Sequence, residues 1–119
     1  MDYVLHQAAI PSVPRSVADP VTSNRANIDA SLNVLVARAR RRRQAAGLRR
    51  VVVGLRQHRR RCPSARTCRP NPLSPYALQK LVAEQYCQMF TQLYGLETVT
   101  IRYFNVFGPR QDPGSPYPA

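Results

Sequence analysis

The sequence lacks any apolar run long enough to cross a membrane. Its first ten residues also lack the basic start and apolar core of a secretory signal peptide. We therefore expect a cytoplasmic protein with no membrane span. The length of 119 residues allows one small domain with a modest core.

Glycine and cysteine are also scarce. None of the five glycines forms the G-x-x-G-x-x-G turn in which the backbone approaches a pyrophosphate at a helix N-terminus. The three cysteines, Cys62, Cys68 and Cys87, are an odd number at no metal-like spacing. We expect reduced thiols, with neither a disulfide framework nor a metal site.

Acidic residues are absent between Asp29 and Glu84, whereas residues 38–69 hold 13 of the 17 arginines. The net charge of +12 is concentrated there, because the rest of the chain carries five basic side chains against six acidic ones. Neither helical nor strand periodicity is sustained in residues 40–69, and only residues 48–53 have strand character. We expect residues 38–70, called here the arginine-rich segment, to be a poorly ordered insert of aberrant composition.

Regular patterns precede the arginine-rich segment. Residues 2–6 (DYVLH) form a short, mostly apolar run, which predicts a buried strand that opens into a proline-containing loop. Apolar residues then recur at helical spacing, which predicts a helix from about Val21 to Ala39.

Regular patterns return after the arginine-rich segment. Ser74, followed by a proline, is a typical helix start, and Gly95 is a typical helix stop. The apolar face of this helix is expected at Leu78, Val82, Tyr86, Met89 and Leu93. Residues 97–103 (ETVTIRY) alternate in polarity and are β-branched, which predicts a strand. This order of elements favours a parallel sheet with crossover helices.

Tyr76 and Lys80 stand four residues apart on the second predicted helix, so that their side chains share one face. A free phenol ionises near pH ~10 and is a poor base at neutral pH. A cation held beside it favours the phenolate, and such a pair can take a proton from a sugar hydroxyl and return it. The alternative is an ordinary amphipathic helix with an exposed tyrosine and lysine.

Several motifs place this pair in a wider pattern. Residues 72–80 (PLSPYALQK) precede residues 102–109 (RYFNVFGP), and upstream stand residues 6–9 (HQAA), residues 12–16 (SVPRS) and Asn27. Together these motifs resemble the extended short-chain dehydrogenase/reductase family, specifically its UDP-sugar 4-epimerases, including those acting on UDP-N-acetylglucosamine. The resemblance implies an α/β, partial Rossmann-type domain (a doubly wound parallel sheet) that lacks its first strands and its C-terminal substrate lobe.

The resemblance also implies roles for single residues. Tyr76 corresponds to the catalytic acid/base, and Lys80 to its partner, which also holds the nicotinamide ribose of NAD. Asn27 corresponds to a helix asparagine that supports the active-site water and the lysine. The family's reaction removes the 4-hydroxyl proton while NAD takes the C4 hydride, and the keto-sugar then rotates and is reduced on its other face.

Further implied residues come from the loop after the first strand and from the last motif. The loop containing His6, Ala8 and Ala9 corresponds to a segment lying against the cofactor. Asn105 corresponds to a contact with the sugar or its phosphate, and Ser12 to a weaker substrate contact. The expected partner is a UDP-sugar, and members of the family are usually homodimers.

The sequence departs from the family pattern where a strand-end Ser or Thr should bind the reacting hydroxyl, because residues 51–58 (VVVGLRQH) contain no hydroxyl. We interpret the arginine-rich segment as the product of a reading-frame shift, entered around residues 38–54 and restored before Asn71. With the Gly-rich turn and the strand-end hydroxyl missing, we expect weak or no NAD binding and no turnover by the chain as it stands.

Three alternatives remain open at the level of sequence. Clustered arginines bind phosphates, so the chain is also a candidate for non-specific polyanion or nucleic-acid binding. A nucleotide-sugar 4,6-dehydratase fragment is a second alternative, because the residue that separates it from an epimerase falls within the arginine-rich segment. A scaffold without a ligand is the third.

Overall fold

The structure is a computed structural model that describes residues 3–44, 50–56, 71–103 and 109. Within these residues the elements are, in chain order, β1 (Tyr3–His6), α1 (Val13–Ala18), α2 (Pro20–Asn24), a π-helical turn (Arg25–Asp29), α3 (Ala30–Gln44), β2 (Arg50–Arg56), α4 (Pro75–Tyr94) and β3 (Glu97–Tyr103).

The three strands form one sheet with β2 in the middle, and β2 pairs in parallel with both β1 and β3. Val52 is the register partner of Leu5 on one side and of Val99 on the other. Parallel neighbours require long crossovers, which α3 and α4 help to provide. The predicted α/β fold with a parallel sheet is therefore confirmed.

The expectation of a poorly ordered insert over residues 38–70 is wrong for the part that the structure describes. The helix continues to Gln44, because arginine, alanine and glutamine are good helix formers. Val51 and Val53 in β2 are 0% and 3% exposed, so this strand is a buried central strand. Because β2 is a regular strand paired on both sides, it counts against a reading-frame shift that begins before Val51. Residues 45–49 and 57–70 of the arginine-rich segment lie outside the described residues.

The helical region before α3 also begins earlier than the predicted start at Val21. Ser12 caps α1 by accepting a hydrogen bond from the Arg15 backbone N–H, and Asp19 caps α2 by accepting one from Thr22. Pro14 and Pro20, which were predicted as loop residues, stand in the first turns of α1 and α2, where the missing N–H has no intrahelical partner to lose. Pro11 remains in the loop before α1.

Helix α4 has the predicted ends. Ser74 accepts a hydrogen bond from the Ala77 N–H at 3.1 Å, and Gly95 ends the helix with a left-handed φ of 61°. The prediction of its buried face is wrong, however, because Leu78, Met89 and Leu93 are exposed. The buried residues of the helix are Tyr76, Gln79, Lys80, Ala83, Cys87 and Phe90.

The apolar core lies between α3, α4 and the sheet, and consists of Leu35, Ala39, Val51, Val53, Ala83, Cys87, Phe90 and Leu96. Arg38 is a buried exception on α3, 6% exposed, and its Nε and Nη2 atoms have no hydrogen-bond partner in the part of the chain that the structure describes. An unsatisfied buried polar group is destabilising.

We expect Arg38→Met to raise the free energy of unfolding by about 1–3 kcal/mol, because it removes a buried charge and keeps an unbranched, helix-forming side chain. Urea unfolding followed by circular dichroism measures the change. Arg40→Met is the matched control, since Arg40 is exposed on the same helix. A stability gain no larger than that of the control contradicts the prediction.

Candidate functional site

A cavity of about 160 Å³ opens at the carboxyl ends of the strands, where open α/β sheets bind their ligands. We call it the strand-end cavity. It is lined by Gln7, Ala9, Pro11, Gly54, Tyr76, Lys80 and Tyr103. The loop after β1, the ends of β2 and β3 and the first turns of α4 thus meet at one place.

Tyr76 and Lys80 are brought together in this cavity, as the sequence predicts. They are only 4% and 6% exposed, so they are not the exposed pair of an ordinary amphipathic helix. The Lys80 Nζ atom lies 5.7 Å from the centroid of the Tyr76 ring, within cation–π range. Burial lowers the pKa of Lys80, because desolvation penalises its charged form.

The start of α4 is held by Ser16, which is fully buried. The Tyr76 backbone N–H donates to the Ser16 hydroxyl at 3.1 Å, and this hydroxyl donates to the Val13 carbonyl at 2.7 Å. A free N–H in the first turn of a helix needs such an acceptor. Ser16 therefore fixes the backbone of Tyr76 against α1, a role that no sequence signal assigned to it.

Asn27 lies within the π-helical turn and is 1% exposed. Its Oδ1 accepts the Ile10 N–H at 2.8 Å, and its Nδ2 donates to the Ile10 carbonyl at 3.3 Å. Nδ2 also donates to Gln79 Oε1 at 2.8 Å. The asparagine thus ties the loop after β1 to Gln79, the residue next to Lys80 in the chain.

His6, at the end of β1, is turned toward α3. Its Nε2 lies 3.1 Å from the Ser31 hydroxyl, which donates to the Asn27 carbonyl at 2.6 Å. Because the only hydroxyl proton of Ser31 goes to this carbonyl, His6 Nε2 is the donor. Burial, followed by the positive charge of Lys80, lowers the pKa of His6. Ala9 lines the cavity, whereas Ala8 is exposed.

Three residues that were not predicted as site residues also line the cavity: Gln7, Gly54 and Tyr103. A Cβ at Gly54 would lie 2.8 Å from Tyr103 Cε2, so the glycine admits the tyrosine ring. Gln7 Nε2 donates to the Tyr103 hydroxyl at 3.1 Å. These contacts join three distant parts of the chain, so local sequence patterns could not predict them. Only the family motif at residues 102–109 pointed to the neighbourhood of Tyr103.

Of the two predicted substrate residues, Ser12 and Asn105, the structure describes only Ser12. Ser12 is the N-cap of α1 and does not line the cavity. Asn105 lies outside the described residues.

Metal and thiol chemistry have no candidate site in residues 3–44, 50–56 and 71–103. These residues contain no group of three His, Cys, Asp or Glu side chains that could hold a metal ion. Cys87 is a buried free thiol, and burial followed by the charge of Glu84 raises its pKa to about 11. Cys62 and Cys68 lie outside these ranges.

Among the residues that the structure describes, no helix is both long and apolar enough to span a membrane.

Comparison with known proteins gives matches along nearly the whole chain. A family model described as the NAD dependent epimerase/dehydratase family matches residues 1–118. A putative UDP-glucose 4-epimerase of Methanocaldococcus jannaschii is 35% identical over 116 residues, covering 95% of this chain and 37% of that protein. The UDP-glucose 4-epimerase of Mycolicibacterium smegmatis is 36% identical over 118 residues, covering 94% and 36%. The chain spans just over a third of these relatives.

Solved structures also match this chain over nearly its whole length. The UDP-N-acetylglucosamine 4-epimerase of Methanobrevibacter ruminantium, solved with UDP-N-acetylmuramic acid, has a TM-score of 0.83 and 43% identity, covering 99% of this chain and 38% of that chain. The UDP-glucose 4-epimerase of Thermus thermophilus, solved with NAD, has a TM-score of 0.78 and 37% identity, covering 97% and 37%.

Lys80 is the only lysine in the sequence, so its titration can be followed by NMR with ¹³Cε-labelled lysine. We expect its midpoint in the folded chain to lie below that of the chain unfolded in urea, which titrates near pH ~10.4. Stability then rises with pH between the two midpoints, because the unfolded state binds the extra proton there. Equal midpoints in both states would contradict the burial of this ammonium.

Proposed function

The chain belongs to the NAD dependent epimerase/dehydratase family, and we propose that it carries the acid–base residues of a UDP-sugar 4-epimerase. The observation that carries the proposal is the buried Tyr76–Lys80 pair beside the strand-end cavity. The names of similar proteins, which are UDP-sugar 4-epimerases, support the substrate class.

In this proposal the Tyr76 phenol exchanges a proton with the 4-hydroxyl of the sugar. The Lys80 ammonium, held close to the phenol ring, attracts the negative charge that forms on the phenol oxygen. Because the cavity excludes most water from both groups, this attraction is stronger than it is for an exposed pair.

The strand-end cavity also fits the nicotinamide end of NAD. Ala9 and Pro11 have small side chains on one wall of the cavity, and Lys80 offers donors to a ribose hydroxyl. When bound, NAD supplies the hydride acceptor for C4 of the sugar. The loop from His6 to Ala9, held by Asn27 through Ile10, is the proposed wall against the cofactor.

We propose that turnover by this chain is very weak. Strand β2 reads RVVVGLR over its whole length and holds no hydroxyl to stabilise charge on the reacting oxygen. Removing one such preorganised donor typically costs about 10²–10³-fold in rate. The test of the catalytic assignment therefore needs a strand end that carries the hydroxyl.

Residues 71–103, grafted in place of the matching segment of the Methanobrevibacter ruminantium epimerase, provide that test. We expect the graft to epimerise a UDP-sugar, and Tyr76→Phe to reduce kcat by at least about 10²-fold while NAD stays bound, because only the proton-transferring oxygen is lost. Tyr86→Phe, a half-buried tyrosine of the same helix, is the matched control. Full activity after Tyr76→Phe would overturn the assignment.

A second candidate function is non-specific polyanion binding, favoured by the exposed Arg40 and Arg41 near the end of α3. We expect equal affinity for two unrelated DNA duplexes and a steep loss of binding with salt, because phosphate neutralisation is the only source of affinity. Arg40→Gln with Arg41→Gln should weaken binding, and Tyr76→Phe should not. Salt-resistant binding to one of the duplexes would instead indicate a selected nucleic-acid role.

A further inference from the structure

Gln79 lies between Tyr76 and Lys80 in the chain and is 4% exposed, although its side chain does not line the strand-end cavity. Its Oε1 accepts the Ser23 hydroxyl at 2.9 Å and the Asn27 Nδ2 at 2.8 Å. Both lone-pair positions of this oxygen are therefore used. The buried amide oxygen of Gln79, near the start of α4, is thus bonded to two residues of the helical region that precedes α3.

Asn27 continues this connection to the loop after β1. It binds both backbone polar groups of Ile10, whose chain neighbours Ala9 and Pro11 line the cavity with Lys80. Gln79, Asn27 and Ile10 thus form a continuous chain of hydrogen bonds, which we call the amide bridge. One end is fixed to the helix that carries Lys80, and the other end to the wall that faces it.

The orientation of each amide in the bridge is set by its neighbours. Asn27 must present Nδ2 to Gln79 and Oδ1 to the Ile10 N–H, because the reverse orientation would oppose two acceptors and two donors. Without the acceptor on Gln79, the Ser23 hydroxyl proton loses its acceptor, and Asn27 Nδ2 keeps only its longer bonds to the Ile10 carbonyl at 3.3 Å and to Ser23 Oγ at 3.4 Å. Losing the shortest bond of a buried amide is costly, and an Asn27 amide that is less firmly oriented holds Ile10 less firmly.

We propose that Gln79 is a positioning residue whose amide oxygen, acting through Asn27, holds the loop at Ile10 against the cavity that contains Tyr76 and Lys80. Its significance for catalysis rests on the proposed function. The geometry of the amide bridge is independent of the proposed function, and it can be measured without enzymatic turnover.

The test is Gln79→Met in the full chain, which keeps side-chain length and helix propensity but removes the acceptor. Hydrogen exchange of the Ile10 amide should accelerate about 10-fold or more, the effect of losing a hydrogen bond worth about 1.4 kcal/mol. The ¹³Cε signal of Lys80 should titrate closer to the ordinary lysine value, because the loosened loop admits water to the ammonium. Gln85→Met, at an exposed position of the same helix, is the matched control.

Two further hydrogen-exchange measurements distinguish a positioning role of Gln79 from general destabilisation of the fold. The amides of Cys87 and Phe90 in the core of α4 should keep their protection in Gln79→Met. Gln79→Glu retains acceptor oxygens and should preserve protection at Ile10. The titratable side chains that interact with Lys80 or share its cavity, His6, Tyr76 and Tyr103, are unchanged in every variant. Gln79→Glu adds a carboxyl group next to Lys80 in the chain, so this variant is compared by hydrogen exchange at Ile10 and not by the Lys80 titration.

If Gln79→Met is too unstable to study, Ser23→Ala removes one donor from the bridge and should give smaller shifts in the same direction. The proposal is overturned if Ile10 exchange and the Lys80 titration match the Gln85→Met control, or if protection falls equally at Cys87 and Phe90. Loss of the Tyr76 assignment in the grafted enzyme would overturn the proposed function and leave the bridge standing.

Discussion

The structure depends on the burial of a polar helix face. Helix α4 places Tyr76, Gln79 and Lys80 inside the molecule, where each polar atom must find a partner or remain desolvated at a cost. Ser16 and Asn27 supply the hydrogen bonds that make this burial tolerable. The first helices, the π-helical turn and α4 are therefore fixed relative to one another by specific bonds as well as by apolar packing.

Two buried basic side chains, Lys80 and Arg38, both lose hydration, and only the burial of Lys80 has a proposed functional reason. Lys80 is desolvated beside an aromatic ring and a cavity, and its lowered pKa agrees with the role in proton transfer that we propose for this pair. Arg38 is equally buried, yet two of its nitrogen atoms have no partner among the described residues. Arg38 belongs to the arginine-rich segment, whose composition differs from that of the rest of the chain.

The central strand shows how a regular fold tolerates this composition. Val51 and Val53 alternate toward the core, and β2 pairs in parallel with β3 along its whole length and with β1 over residues 50–53. Strand formation there needs only the alternation of a few β-branched residues and the pairing of the backbone. The hydroxyl chemistry expected at the end of the strand needs particular side chains, and Gly54 admits the Tyr103 ring instead.

The sequence by itself determined the local elements whose signals are local. The cap at Ser74, the stop at Gly95 and the alternation of β3 act within a few residues, and the Tyr76–Lys80 spacing follows from helical geometry. The order of these elements indicated the parallel sheet, and the family motifs added the candidate site residues. Only the tertiary structure decided which face of α4 is buried, because the choice depends on partners supplied by distant segments. Polar atoms with matching partners at Ser16, Ser23 and Asn27 are buried, while Leu78, Met89 and Leu93 of the more apolar stripe face outward.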